Sequence, residues 1–274
     1  YLAERNIGFY IQYTLNDYEA EGLEKGVPPL SQRIETFKML VNKLGKGRVI
    51  WRFDPMILTD KICIGDLLEK VKNIGDELKD YTEKLVFSFA DIASYRKVKS
   101  NLEKNGINYI EWDEASMNEF ASKLSEMNRE RGWNFELATC GEKIDIEQYG
   151  IEHNRCVDDD LMIRYQDKDL MDFLKVDIRR VQPSAPSMFE EFDDTPIIPA
   201  EAIMLTPDIY AVKQKNNRDK GQRQFCGCIV SKDIGQYNTC PHLCEYCYAN
   251  TSKEVAVANW ERHKSNPNGD KIIG

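Results

Sequence analysis

Residues 49–90 read VIWRFDPMILTDKICIGDLLEKVKNIGDELKDYTEKLVFSFA. Val49–Phe53 is a short apolar run rich in β-branched and aromatic residues, and Asp54-Pro55 stops it. Ile64–Leu78 carries apolar residues at helical spacing, and Lys84–Ala90 returns to a strand-like apolar run. Strand, helix and strand at this spacing predict a parallel pair joined by a right-handed crossover. The alternation extends in both directions. Upstream, Phe9-Tyr-Ile-Gln-Tyr-Thr-Leu15 predicts a strand. Ser31–Leu44 predicts a helix with Ile34, Phe37, Leu40, Val41 and Leu44 on one face. Downstream, Ser116 and Glu119 suggest a capping box ahead of Phe120, Leu124 and Met127. Trp133–Ala138 supplies a fourth strand. Four such units predict an α/β fold, a partial (β/α) barrel over residues 1–175.

In a barrel of this kind the C-terminal strand ends form one rim, where chemistry is built. Asn16, Asp54, Asp91 and Cys140 all fall at or just beyond predicted strand ends. Asp and Asn also start turns and cap helices, which explains each of them singly. A cysteine at the same position is harder to explain in that way. Arg52 lies on an apolar strand and faces either solvent or the rim. With Asp54 it forms either part of a substrate or cofactor pocket or a structural ion pair.

After residue 175 the composition changes. Residues 176–212 are Pro-rich and acidic and read as a loop or insertion. Residues 213–274 form a cysteine-rich lobe that begins with Lys213, Lys215, Arg218, Lys220 and Arg223 and ends with a predicted helix, Lys253–Lys264. The chain has 274 residues, 42% of them apolar, enough to bury a sizeable core. A formal charge of −9 opposes broad binding to nucleic acid, which rests on neutralising phosphates. It leaves room for a local basic groove from Lys213 to Arg223. No signal peptide and no apolar run of the roughly 20 residues a membrane span needs is visible, so a cytoplasmic protein without membrane contact is expected. The chain opens on Tyr1 and enters a strand almost at once, as if a further segment preceded it.

Eight cysteines are present, and five crowd between Cys226 and Cys247. Disulfide frameworks belong to short secreted chains, so metal or cluster ligation is the expected use. Cys240-Pro-His-Leu-Cys244-Glu-Tyr-Cys247 has the spacing C-x3-C-x2-C. Three close thiolates suit a 4Fe-4S cubane held by cysteine sulfur. They leave one of its four irons open, as a reactive site requires. The competing reading is a closed structural zinc site with Cys228 or His242 as fourth ligand, although His242 lies within a tight loop and would more easily point outward. Cys140, Cys156, Cys226 and Cys228 form a possible second site for a cluster or zinc, with Gly227 allowing a tight turn. Cys140 and Cys156 also fit as small core residues. Cys63 reads as core, and Asp158-Asp159-Asp160 as the opening of a helix.

Thr239-Cys-Pro-His-Leu-Cys-Glu-Tyr-Cys-Tyr-Ala-Asn250 resembles the cysteine loop of the radical S-adenosylmethionine superfamily, and in particular that of spore photoproduct lyase. The resemblance implies that the open iron chelates the amino and carboxylate groups of S-adenosylmethionine, that Tyr246 lies beside the cofactor's adenine, and that an electron donor serves the cluster. A wider resemblance rests on Phe9-Tyr-Ile-Gln-Tyr-Thr-Leu15, Arg48-Val-Ile-Trp-Arg-Phe-Asp-Pro55 and Cys226-Gly-Cys-Ile-Val-Ser-Lys-Asp-Ile-Gly-Gln-Tyr-Asn-Thr-Cys240. These are similar to the motifs of a bacterial family of domains of unknown function, number 1848. Two features depart from the superfamily pattern. The loop is near the C-terminus rather than after the first strand, and no downstream Gly-rich motif is evident. The expected function is a radical S-adenosylmethionine-type oxidoreductase or lyase acting on an unread substrate. The alternative is a non-catalytic module that binds nucleic acid or protein and is stapled by zinc or a structural cluster.

Overall fold

A computed structural model describes residues 1–165, 168–181, 198–222 and 224–273. The fold is mixed α/β. The elements in chain order are β1 (Ile11–Thr14), α1 (Leu30–Leu44), β2 (Val49–Met56), β3 (Leu58–Thr59), α2 (Ile64–Leu78), β4 (Lys84–Phe89), α3 (Arg96–Lys104), β5 (Tyr109–Ile110), α4 (Glu114–Glu130), β6 (Glu136–Thr139), β7 (Ile151–His153), α5 (Asp159–Arg164), α6 (Lys168–Leu174), β8 (Val176–Arg180), β9 (Ile203–Thr206), β10 (Ile209–Lys213) and α7 (Lys253–Ser265).

The chain divides into two compact units. One comprises Gln12–Asn154 with Lys232–Gly274, the other Tyr1–Ile11 with Arg155–Ser231. These boundaries differ from 175 and 212. The first unit is built on a five-stranded parallel sheet ordered β1-β2-β4-β6-β7. β2 pairs parallel with β4, β4 with β6, and β6 with β7. β1 and β7 are its edges, and no closed barrel forms among the described residues. Along β2 the side chains alternate as a pleated strand requires. Trp51 and Phe53 are fully buried, while Arg52 and Asp54 are only half-buried.

The core beneath the sheet collects Phe37 from α1, Leu67, Val71, Ile74 and Leu78 from α2, and Phe120 and Leu124 from α4. Phe120 meets Phe87 edge-on at 5.6 Å and Phe89 at 5.9 Å, the arrangement ring quadrupoles favour. Residues recurring three and four apart bury one face of α2, and that recurrence is what made the helix legible.

Several predicted boundaries shift. β2 continues through Asp54-Pro55, whose peptide bond is cis, instead of stopping there. The N-cap of α4 is Asp113, whose carboxylate accepts from the Ser116 N–H at 2.7 Å, so the reciprocal cap lies three residues earlier than Ser116–Glu119. Cys63 is exposed rather than core. It is the N-cap of α2, with its N–H bonded to Asp66 at 2.8 Å.

The second unit carries the antiparallel sheet β8-β10-β9. It packs over Ile163, Met171, Leu174, Ala211 and Ile229. β8, β9 and most of β10 fall within 176–212, so the described part of that stretch is not simply loop. Residues 182–197 of the Pro-rich segment, and Arg223 of the basic run, lie outside the described residues. No helix among those described is long and apolar enough to cross a membrane.

α2 packs against α4, and at Gly75 of α2 a Cβ would stand 2.6 Å from the ring of Trp133, which follows α4 in the chain. The Trp133 indole is tied to Asp76 at 3.0 Å and has little room to withdraw. Gly75→Ala therefore sets an overpacking cost of about 1–3 kcal/mol against a helix-propensity gain of about 1 kcal/mol. The expected outcome is a lowered urea-unfolding midpoint, and a midpoint equal to or above that of the parent would contradict this packing.

Candidate functional site

The cysteine loop is seated on the strand ends of the first unit by hydrogen bonds of long sequence separation. Asn16, two residues past β1, accepts the Asp54 N–H at 2.9 Å through its side-chain oxygen. Its amide donates to the Asp54 carbonyl at 3.1 Å. The same amide reaches the Tyr246 hydroxyl at 3.0 Å and Glu24 at 3.3 Å, and Tyr246 in turn donates to Glu24. Backbone bonds add to the seat. The Gly26 N–H donates to the His242 carbonyl and the Glu245 N–H to the Leu23 carbonyl, both at 2.9 Å. At Gly26 a Cβ would stand 2.7 Å from the carbonyl oxygens of both Pro241 and His242, so the loop lies directly on this glycine.

Two buried acids hold this seat, and neither drew notice as a functional residue in the sequence. Glu245, inside the cysteine loop, is fully buried. It takes Lys25 at 3.1 Å, Lys253 of α7 at 2.6 Å and Asn105 at 2.9 Å. Glu24 is buried beside Arg33 at 3.6 Å, and Arg33 also donates to the carbonyls of Asn16 at 2.9 Å and Pro28 at 2.8 Å. Buried charges are tolerated only with such partners. A lone glutamate within a loop gives no periodic signal, which is why the sequence was silent about both.

Cys240, Cys244 and Cys247 are each half-buried. Burial pushes the Cys244 thiol up to about 12. The Glu24 carboxylate and the neighbouring Cys240 and Cys247 add to the rise, and a hydrogen bond with Tyr246 opposes it. Three thiols in one partly buried loop, with a carboxylate acting on Cys244, are a donor set that a cationic centre would relieve. The Cys240 carbonyl is fixed by Asn250 at 2.9 Å. His242 is exposed.

Tyr246 packs against Tyr18 at 6.0 Å, and burial, followed by Glu24, holds its phenol far above the usual range. Its hydroxyl is committed to the seat. Tyr248 is exposed and pairs with Tyr95 at 5.9 Å. Its phenol is raised first by burial and then by Tyr237, Asp54, Tyr95 and Cys247. Arg52 and Asp54 form an ion pair. Arg52 donates to Gln12 at 2.6 Å and Ser88 donates to Asp54, so one polar row crosses β1, β2 and β4. Asp91 serves the turn that the simpler reading gave it, accepting the Ser94 hydroxyl at 2.6 Å.

Of the second cysteine set, Cys156, Cys226 and Cys228 belong to one unit, and the Val157 N–H, next to Cys156, donates to the Cys228 sulfur at 3.3 Å. Cys140 follows β6 in the other unit, its N–H bonded to the Phe87 carbonyl at 2.9 Å. Asp158 caps α5 as expected. Asp158, Asp159 and Asp160 hold their oxygens within 4.8 Å of one another. Arg155 pairs with all three, and Lys213 with Asp159 at 3.2 Å and Asp160 at 2.5 Å, which offsets most of the cluster's charge. In the basic run Lys213 is thus engaged by acids, and Arg218 clamps the carbonyls of Cys226 and Gln224.

A family model described as Domain of unknown function (DUF1848) matches residues 1–249. No curated protein and no solved structure matches the chain.

The Glu24–Arg33 pair generates a test of the seat. Arg33→Met leaves a buried carboxylate uncompensated and is expected to cost about 3–5 kcal/mol in urea unfolding. The double variant Glu24→Gln/Arg33→Met should lose less than the two single losses combined. Additive losses would show that the pair is not coupled.

Proposed function

The chain belongs to the DUF1848 family, whose matched span contains the whole cysteine loop, and we propose that it is an iron–sulfur enzyme of the radical S-adenosylmethionine type. Cys240, Cys244 and Cys247 would hold three irons of a 4Fe-4S cluster and leave the fourth for the amino and carboxylate groups of S-adenosylmethionine. The observation that carries this reading is the seat of the loop. Three thiols stand beside the strand ends, with Tyr246 bonded to Asn16 and Asn16 bonded to both backbone groups of Asp54. Strand C-terminal ends are where parallel α/β folds build their sites. When bound, such a cluster supplies the electron for reductive cleavage of the cofactor's sulfonium, drawn from an external donor.

The chain's own residues have separable tasks in this reading. Asn16, Glu24 and Gly26 fix the loop. Glu245 with Lys25 and Lys253 keeps its interior closed to water. Tyr246 spends its hydroxyl on that seat, so only its ring is left to flank a ligand. Arg52, Asp54 and Ser88 offer a polar row at the same strand ends, and the exposed Tyr248–Tyr95 pair offers aromatic faces beside Cys247. A planar, polar molecule such as the cofactor's adenosine suits that combination.

Anaerobically reconstituted protein is expected to bind about four irons at the loop. It should give a reduced-cluster EPR signal that changes on addition of S-adenosylmethionine, and dithionite should then release deoxyadenosine. Cys247→Ala should lose the iron and the visible absorption. Gly26→Ala, which pushes on the loop without removing a ligand, should retain less iron than the parent. A parent that binds zinc at the loop, or an EPR signal indifferent to the cofactor, would refute the proposal.

A further inference from the structure

A centre that gives an electron to its cofactor must be refilled from outside, and electron tunnelling falls off steeply with distance. A donor therefore has to dock where the cysteine loop reaches the surface. Tyr248 marks that edge. It follows Cys247 directly and is 63% exposed, although Tyr95 packs against it at 5.9 Å. Tyr237, ahead of Cys240, is exposed as well. The two arms are joined there, since the Asn238 N–H donates to the Ala249 carbonyl at 3.0 Å. Exposed aromatic side chains thus stand on both arms of the loop.

Tyr95 is also the N-cap of α3, and the exposed cations Arg96, Lys97 and Lys99 follow it. Helix α3 is tied to the loop itself. Asn105 donates to the Glu245 carboxylate at 2.9 Å and Asn101 to the Glu245 carbonyl at 3.4 Å. The first turn of a helix disfavours positive charge, because the macrodipole is positive there. That turn of α3 nevertheless holds Arg96 and Lys97 and no acid. Neither is in an ion pair among the described residues. Lys97 acts on the exposed Glu254 through its charge, and Lys99 reaches Glu103 at 3.9 Å. Arg96 and Lys97 thus weaken the helix they stand on, and on a chain of formal charge −9 they are a local exception.

We propose that this edge docks a small, acidic one-electron carrier protein, an inference that rests on Cys240, Cys244 and Cys247 holding a reducible cluster. Acids of the carrier face Arg96 and Lys97, and its redox group faces Tyr248. One electron passes. The carrier is oxidised by one electron, the metal centre is reduced by one, and no bond is made or broken. Encounters between redox proteins bury little surface, under about 1,200 Å² in total. A few complementary charges around an aromatic contact are enough to steer and orient such a partner. The acidity of the rest of the chain repels an acidic carrier and confines it to this edge. A nucleic acid, with its dense run of phosphates, needs more neutralising cations than Arg96 and Lys97 provide.

The test mixes the full, reconstituted chain anaerobically with flavodoxin hydroquinone, a small acidic one-electron donor, and separately with dithionite. Bleaching of the visible absorption gives each rate. The parent's second-order rate constant with flavodoxin should fall as salt rises. Arg96→Glu/Lys97→Glu should lower it about tenfold or more at low salt, while reduction by dithionite changes far less. Acids suit the first turn of a helix, so this variant keeps α3. If it nonetheless loses iron, Arg96→Gln/Lys97→Gln replaces it, with a smaller loss in the same direction. A flavodoxin rate indifferent to salt, or equal in parent and variant, overturns the proposal, as does a dithionite rate that falls in step. So does a single-stranded oligonucleotide that binds the parent, blocks flavodoxin and is lost from the variant. A parent without reducible iron sinks the cluster and the docking together, whereas a reducible cluster indifferent to Arg96 and Lys97 sinks the docking alone.

Discussion

The side chain of Asn16 spans the distance between the sheet and the cysteine loop, and the candidate site depends on it. One amide group bonds both backbone polar groups of Asp54 and also the Tyr246 hydroxyl, which lies 230 residues away in sequence. Because Asn16 is completely buried, each of these bonds is made in a medium where an unmet partner costs about 1–3 kcal/mol. The bonds are therefore obligatory as a set. Displacing the loop orphans Asn16, Glu24 and the Tyr246 hydroxyl together, and that cooperativity gives a segment poor in regular structure a defined position.

Buried charge does the complementary work. Glu245 would be costly without Lys25, Lys253 and Asn105, which come from three separate stretches of chain. The acid thus selects one arrangement of the loop, of the segment before α1, and of α3 and α7. An apolar residue at 245 would bury as well but would accept many arrangements. The Glu24–Arg33 pair acts likewise between the same segment and α1. Directional bonds define the position of the loop in a way that apolar burial alone would not.

Legibility in the sequence followed burial pattern. α2 was read to the residue, because its apolar side chains recur at 3.6-residue spacing, and β2 and β4 were read because their runs are apolar and short. β7, three residues long, offers too few positions for any period to register. β8 exposes most of its side chains and looks like the loop it was read as. The expectation that Asp54-Pro55 ends β2 failed because the β2–β4 pairing shifts register between Phe53 and Met56, an irregularity at which a proline can sit. The unit boundaries were hidden because each unit is assembled from two separated stretches, and composition along the chain cannot register contacts between stretches so far apart. The loop cysteines were visible from spacing alone. Their supports, Glu24, Gly26 and Arg33, were not, since each acts through one tertiary contact.

The two groups of thiols differ in their surroundings. In the loop, burial raises the Cys244 thiol, and Glu24, Cys240 and Cys247 add to the rise. Around Cys228, the Val157 N–H sets a directed donor on the sulfur. The loop adjoins a polar row and exposed aromatic rings, whereas the Cys-Gly-Cys turn is held by Arg218 and crowded by Arg155. Directed bonds thus fix both groups, and the loop in addition lies at strand C-terminal ends, where parallel α/β folds build their sites.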